Sequence, residues 1–79
     1  MNNSRKLVLA FCNALEIKKE LVIESLKYQS IEQWDSISHM MLIAELEDVF
    51  EIELDTDDVI DMSSVAMAKK ILAKYGIEF

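Results

Sequence analysis

The chain has few of the residues that interrupt helices. Its 79 residues include no proline, one glycine, Gly76, and one cysteine, Cys12. Because proline and glycine mark the turns of β-rich folds, their scarcity favours helices. A single cysteine excludes an intramolecular disulfide, and with one histidine, His39, it cannot complete a structural zinc site. We expect Cys12 to be a packing residue in a protein of the reducing cytosol.

Positive charge and long apolar runs are also scarce. Eight Lys and Arg residues stand against fifteen Asp and Glu residues, so the net charge is −7. An acidic surface repels phosphate backbones, which argues against nucleic acid binding and predicts partners with basic surfaces. The apolar run at residues 7–11 is too short for the core of a signal peptide, and no run approaches the roughly 20 residues of a membrane-spanning helix. The expectation is a cytoplasmic monomer without a membrane span.

Apolar residues recur at the helical period in three long segments, residues 4–15, 36–51 and 65–75. A shorter helix is predicted in the acidic stretch that begins at Asp55. Residues 1–79 are therefore predicted to form one all-α domain, a bundle of three main helices and one short helix with a long first loop over residues 16–34. The residues predicted to face inward are Leu7, Ala10, Phe11, Ala14, Leu15, His39, Leu42, Ile43, Leu46, Val49, Phe50, Val59, Ile60, Met62, Val65, Ala68, Ile71, Leu72 and Tyr75.

Each predicted helix has residues suited to its ends. Gly76 is the expected stop after the last helix, since glycine readily adopts the left-handed conformation. The candidate N-caps, in chain order, are Asn3 or Ser4, Asp35 or Ser36, Asp55 or Thr56, and Ser63 or Ser64.

The long first loop is too apolar to be separate from the core. We expect its apolar residues to fold back over one end of the bundle, with a helical turn around residues 20–26. Trp34, the only tryptophan, is expected to fix the start of the second helix, because aromatic side chains bury large areas. The other apolar residues of the loop include Leu21, Val22, Ile23, Leu26, Tyr28 and Ile31.

Two patterns that could indicate a metal site or an active site are incomplete. If Asp55 began an EF-hand loop, Ile60 would stand at the sixth position, where glycine is required, and Ala66 at the twelfth. Ser36 and His39 lie one turn apart, but a serine hydrolase also needs a group that orients the base and an oxyanion hole, usually on a Gly-rich elbow that this chain lacks. We expect neither a metal site nor an enzyme.

The stretch Gln33-Trp34-Asp35-Ser36-Ile37-Ser38 joins the loop to the second helix. By residue type alone, Asp35 and Ser36 are ordinary N-caps. However, the Asp-Ser-apolar start is followed by Leu42, Leu46 and Phe50 at helical spacing and by a Glu-rich end. This pattern resembles the acyl carrier protein family, whose members carry 4′-phosphopantetheine on the serine of an Asp-Ser-Leu motif at the start of their second helix.

The resemblance covers nearly the whole chain in its length, acidity and helix spacing. It departs from the family pattern at Gln33 and Trp34, where many carriers have glycine and a small residue, and at Ile37, where leucine is usual. The Trp-Asp-Ser variant looks like freestanding carriers outside central fatty acid synthesis.

The resemblance implies that Ser36 carries 4′-phosphopantetheine, transferred from coenzyme A by a phosphopantetheinyl transferase, and that Asp35 belongs to the motif. The protein would then carry acyl groups as thioesters in fatty acid, lipid or specialised biosynthesis. It would serve acyl-ligating and acyl-transferring enzymes with basic docking surfaces.

The second helix supplies the expected partner face, because adaptable methionines beside carboxylates suit a reusable surface for basic partners. Its residues are Ile37, Met40, Met41, Ala44, Glu47 and Asp48. Two alternatives stay open. The chain could be an unmodified acidic helical adaptor for a basic protein partner, or a carrier for an activated amino acid.

Overall fold

Four α-helices and one turn of 3₁₀ helix make up the regular structure of residues 2–79, the part of the chain that the computed structural model describes. They are α1 (Asn3–Leu15), the 3₁₀ turn (Lys19–Leu21), α2 (Ser36–Phe50), α3 (Thr56–Asp61) and α4 (Val65–Lys74). The all-α prediction, with three main helices, one short helix and a long first loop, is confirmed. The main helix pair is α1 with α2.

The helix starts agree with the sequence prediction at α2 and α4 but not at α1. Asp55 precedes α3 as predicted, but its side chain makes no capping hydrogen bond. Asn2 caps α1 by accepting a hydrogen bond from the Arg5 N–H at 2.8 Å, so the predicted caps Asn3 and Ser4 are wrong and lie inside the helix. The extended backbone of Asn2 lets its amide oxygen reach the N–H three residues ahead. Ser64 caps α4 through the Met67 N–H, and Gly76 follows α4 with a φ of 88°.

The core is formed by the apolar stripes of α1, α2 and α4 around Trp34, whose side chain is fully buried. The predicted stripe of α1 is buried throughout. On α2, His39 and Val49 are only half-buried, and on α4 the same is true of Tyr75. The expectation that Trp34 fixes the start of α2 is supported by this complete burial.

The inward face of α3 differs from the prediction. Ile60 was expected to face the core but is 72% exposed, whereas Asp58 is 6% exposed. Because residues two apart lie on nearly opposite sides of a helix, burial of Asp58 and Met62 turns Ile60 outward. Asp58 can be buried because its carboxylate accepts hydrogen bonds from the Lys74 ammonium and from the Tyr75 hydroxyl of the α4 end.

The long first loop is held against the segment that joins α3 to α4. The Tyr28 N–H donates to the Ser63 carbonyl at 2.9 Å, and the Val65 N–H donates to the Leu26 carbonyl at 3.0 Å. As predicted, Val22 and Leu26 are buried and Tyr28 and Ile31 pack at the core edge. Leu21 and Ile23 are instead 43% and 56% exposed, and the helical turn expected around residues 20–26 is the shorter 3₁₀ turn.

The buried Asp58 makes the stability of the fold sensitive to acid. Hydrogen bonds from Lys74 and Tyr75 hold the pKa of the Asp58 carboxyl below its usual value. A carboxyl with a lowered folded-state pKa stabilises the fold above its unfolded pKa, near 4, and that contribution is lost as the pH falls through the folded pKa. We predict that Asp58→Asn lowers the melting temperature at pH 7 and that the two proteins converge as the pH falls towards 3.

Circular dichroism melts between pH 3 and pH 7 test this prediction. Asp57→Asn is the matched control, because Asp57 is the exposed neighbour in the same turn of α3. Its melting temperature should follow that of the unaltered protein at every pH. If Asp58→Asn melts like the unaltered protein at pH 7, the carboxylate does not hold α3 to α4.

Candidate functional site

Asp35, and not Ser36, caps α2. The Asp35 side chain accepts a hydrogen bond from the Ser38 N–H at 2.8 Å, and its backbone is extended, as the cap position requires. Ser36 is the first residue of the helix and is exposed. Across residues 2–79, the Ser36 hydroxyl makes no hydrogen bond to another protein group. Ser36 is therefore not the N-cap of α2, although its residue type alone suggests that role.

The Asp35 carboxylate is stabilised in its charged form. The hydrogen bond from the Ser38 N–H is the largest cause that lowers the pKa of Asp35 below its usual value. At neutral pH this acid stays ionised beside the positive end of the α2 dipole, where negative charge is favourable. Ser36 thus lies at a helix N-terminus that Asp35 keeps well formed.

An apolar groove lies next to Ser36 between α2, α3 and the first loop. We call it the Ser36 groove; its volume is about 390 Å³. It is lined by Tyr28, Ser36, His39, Met40, Val59, Ile60, Met62 and Ser63. Because the exposed Ser36 lines the groove and apolar side chains form most of its wall, a group attached to the Ser36 hydroxyl could lie in it.

His39 forms a hydrogen-bonded bridge from the loop to α3, which we call the His39 bridge. The indole N–H of Trp34 donates to His39 Nδ1 at 2.9 Å, and His39 Nε2 lies 2.8 Å from the Val59 carbonyl oxygen. Nδ1 accepts from Trp34, so it carries no proton, and the ring is neutral with its proton on Nε2, which donates to Val59. The Val59 carbonyl is one of the last in α3 and has no partner within its own helix, so His39 satisfies it.

Aromatic packing holds the His39 bridge in place. The Trp34 and His39 rings stack at a centroid distance of 6.1 Å, and the Tyr28 ring meets each of them edge-on, at 6.2 Å from Trp34 and 5.3 Å from His39. Phe11 of α1 packs edge-on against Trp34 at 5.3 Å. The start of α2 is thereby fixed to the core on one side and to α3 on the other.

The residues predicted for the partner face are exposed on α2, with one exception. Ile37 is 74% exposed, Met40 58% and Met41 55%, and Ala44 and Asp48 are exposed as well. Glu47 is half-buried, and its carboxylate accepts a hydrogen bond from the Leu54 N–H at 2.9 Å. Glu47 therefore holds the segment after α2 in place, which leaves Asp48 as the free acid of the predicted pair. Ile60 of α3 adds a further exposed apolar side chain and also lines the Ser36 groove.

Trp34 is buried as predicted, whereas His39 was predicted to be buried and is half-buried, and the hydrogen bond between them was not predicted. A buried tryptophan needs a partner for its N–H, and the only histidine of the chain, one turn into the next helix, was an available acceptor. That signal was present in the sequence. By contrast, the contribution of Val59 depends on how α3 packs against α2, which no local pattern reveals.

The described residues contain no candidate metal centre. No group of three or more His, Cys, Asp and Glu side chains in residues 2–79 is arranged to hold a metal ion. No helix in the same range is both long enough and apolar enough to cross a membrane.

Comparisons of the chain with protein-family models, with curated proteins and with solved structures found no match.

Proposed function

We propose that the protein is an acyl carrier protein that bears 4′-phosphopantetheine on Ser36. The observation that carries this proposal is at the start of α2. Asp35 caps the helix there, and the Ser36 hydroxyl is exposed and makes no hydrogen bond to the protein. A hydroxyl in this state is accessible to a transferase. When bound, the arm would supply a thiol that holds an acyl group as a thioester.

The surroundings of Ser36 suit the arm in charge and in shape. A phosphodiester on Ser36 would lie at the N-terminus of α2, where free N–H groups and the helix dipole favour an anion. The Ser36 groove then offers an apolar wall to the rest of the arm. These residues need only hold and present the group, so this function requires neither a general base nor an oxyanion hole.

The exposed face of α2 supports docking to basic partner enzymes. Ile37, Met40 and Met41 provide an adaptable apolar surface directly beside Ser36, and Asp48 provides negative charge further along the helix. Residues 28–68, which include all of α2 and α3, contain no Lys or Arg. Such a surface would steer the transferase and acyl-transferring enzymes towards the serine.

An unmodified acidic adaptor is the competing function, and the same face of α2 favours it. In that case the exposed apolar residues alone would bind the basic partner, and Ser36 would have no chemical role. The free hydroxyl of Ser36 favours the carrier, because an adaptor does not require it. A carrier for an activated amino acid would use the same serine and differs only in its cargo.

Modification by a transferase separates these functions. We predict that incubation with coenzyme A and a broad-specificity phosphopantetheinyl transferase adds one phosphopantetheine to the protein, as measured by intact mass. Ser36→Ala should abolish the addition completely, because the attacking hydroxyl is removed. Ser38→Ala is the matched control, since it removes another hydroxyl from the same helical turn, and it should be modified normally. Folded protein that gains no mass would remove the carrier function and leave the adaptor.

The docking role of α2 has a separate test. We predict that Asp48→Lys slows modification by up to about fivefold at low ionic strength, because reversing an exposed charge weakens electrostatic steering towards a basic partner. The effect should shrink as salt is added. Asp48 is preferable to Glu47, whose substitution would also break the hydrogen bond to Leu54.

Glu20→Lys controls for the change in net charge, because Glu20 is an exposed acid outside α2, in the 3₁₀ turn. This variant should be modified at the normal rate at every salt concentration. Equal slowing of both variants would mean that net charge, and not the face of α2, governs the encounter.

A further inference from the structure

The His39 bridge joins two helices that line the Ser36 groove. His39 belongs to α2, its acceptor Val59 belongs to α3, and both residues line the groove. A phosphopantetheine arm on Ser36 that ran inward between these helices would meet this hydrogen bond within one helical turn, because His39 is three residues after Ser36, and an acyl group at its end would have to pass the bond.

The core next to the bridge is already filled. Trp34, which belongs to the bridge, is fully buried, as are Leu42 and Leu46 of α2. Met62, which lines the groove, is 1% exposed. These four side chains belong to one apolar cluster, to which α1 and α4 also contribute. A long chain could enter only by displacing them and by separating α2 from α3.

Opening the bridge would leave buried polar groups without partners. The Trp34 N–H would lose its acceptor inside the core, and the Val59 carbonyl would lose the donor that satisfies the end of α3. Unsatisfied buried groups are costly, whereas an apolar chain gains only in proportion to the area that it buries. The bridge therefore favours cargo that stays outside it.

We propose that His39 determines the cargo by closing the way between α2 and α3, so that the protein carries short acyl groups and not long fatty chains. This inference rests on the carrier function proposed above. Short cargo would stay in the Ser36 groove, outside the His39 bridge, beside the exposed side chains of Met40 and Ile60. His39 is here a specificity-determining residue that need not react with the cargo.

A series of tethered chains tests the proposal without any transferase. Ser36→Cys in a Cys12→Ala background provides one thiol at the site, and its thiolate displaces iodide from N-alkyl iodoacetamides to form a thioether. Cys12 is removed although burial raises the pKa of its thiol, so that position 36 alone reacts. Ethyl, butyl, octyl and dodecyl reagents give the same linkage with increasing chain length.

Two readouts report whether the chain is taken into the protein. The melting temperature rises with chain length if the added methylenes are buried in the folded state. The NMR resonance of the Trp34 indole N–H shifts if the His39 bridge opens. With His39 present, we expect no rise in melting temperature from ethyl to dodecyl and no shift of the indole resonance.

Two variants at position 39 test whether the His39 bridge is what excludes the tethered chain. His39→Leu removes both hydrogen bonds and makes the position apolar, so the melting temperature of the tethered series should rise with chain length. His39→Gln is the conservative control, because its amide oxygen can accept from Trp34 and its amide nitrogen can donate to Val59. It should behave like the histidine protein.

The outcomes separate clearly. A melting temperature that rises with chain length while His39 is present would overturn the proposal, and this arm does not depend on whether His39→Leu folds. A flat series in folded His39→Leu would overturn the assignment to His39. The chains are attached chemically and need no transferase. If the mass experiment shows no phosphopantetheine on Ser36, the carrier function fails, but the melting and NMR results still report whether His39 excludes a chain.

Discussion

The His39 bridge is the constraint on which the rest of the Ser36 site depends. It joins a fully buried tryptophan of the loop to the first turn of α2 and then to the end of α3. Each of its polar groups would be costly to leave unpaired in a partly buried setting. The bridge ties the first turn of α2 to Trp34 and Val59, and the same turn begins with Asp35 as its cap and Ser36 as the exposed neighbour. The hydrogen bonds of the His39 bridge thus link the buried Trp34 to the helix turn that contains Ser36, the proposed attachment site.

The charge distribution complements this arrangement. Residues 28–68 contain α2, α3 and the candidate site, and they carry eleven acidic residues and no Lys or Arg. The one buried acid among them, Asp58, is matched by Lys74 and Tyr75 from the end of α4, so α3 is held to α4 by polar contacts and to α2 through His39. The remaining acids face solvent in large part and give α2 and α3 a negative field. A small domain can in this way be held together internally by paired groups while its outer surface stays acidic.

Periodic and local features of the structure could be predicted from the sequence, whereas features that depend on packing could not. The stripe Leu42, Leu46 and Phe50, the helix stop at Gly76 and the burial of Trp34 follow from residue type and spacing. The inward turn of Asp58 in place of Ile60 depends on groups sixteen and seventeen residues away, and the acceptor role of Val59 depends on one twenty residues away. Sequence identified Ser36 and Asp35 as the candidate site but left open which of them caps α2. Only the backbone geometry of residue 35 and its hydrogen bond to Ser38 resolve that choice.

The protonation of His39 is the most direct measure of this account. Long-range ¹H–¹⁵N correlation spectra of the uniformly labelled protein at neutral pH distinguish the two tautomers and the charged ring. The bridge requires a neutral imidazole with its proton on Nε2 and with Nδ1 unprotonated, and it requires a slowly exchanging indole N–H of Trp34. A proton on Nδ1, or a ring that averages between tautomers, would contradict the bridge and with it the account of how Ser36 is positioned.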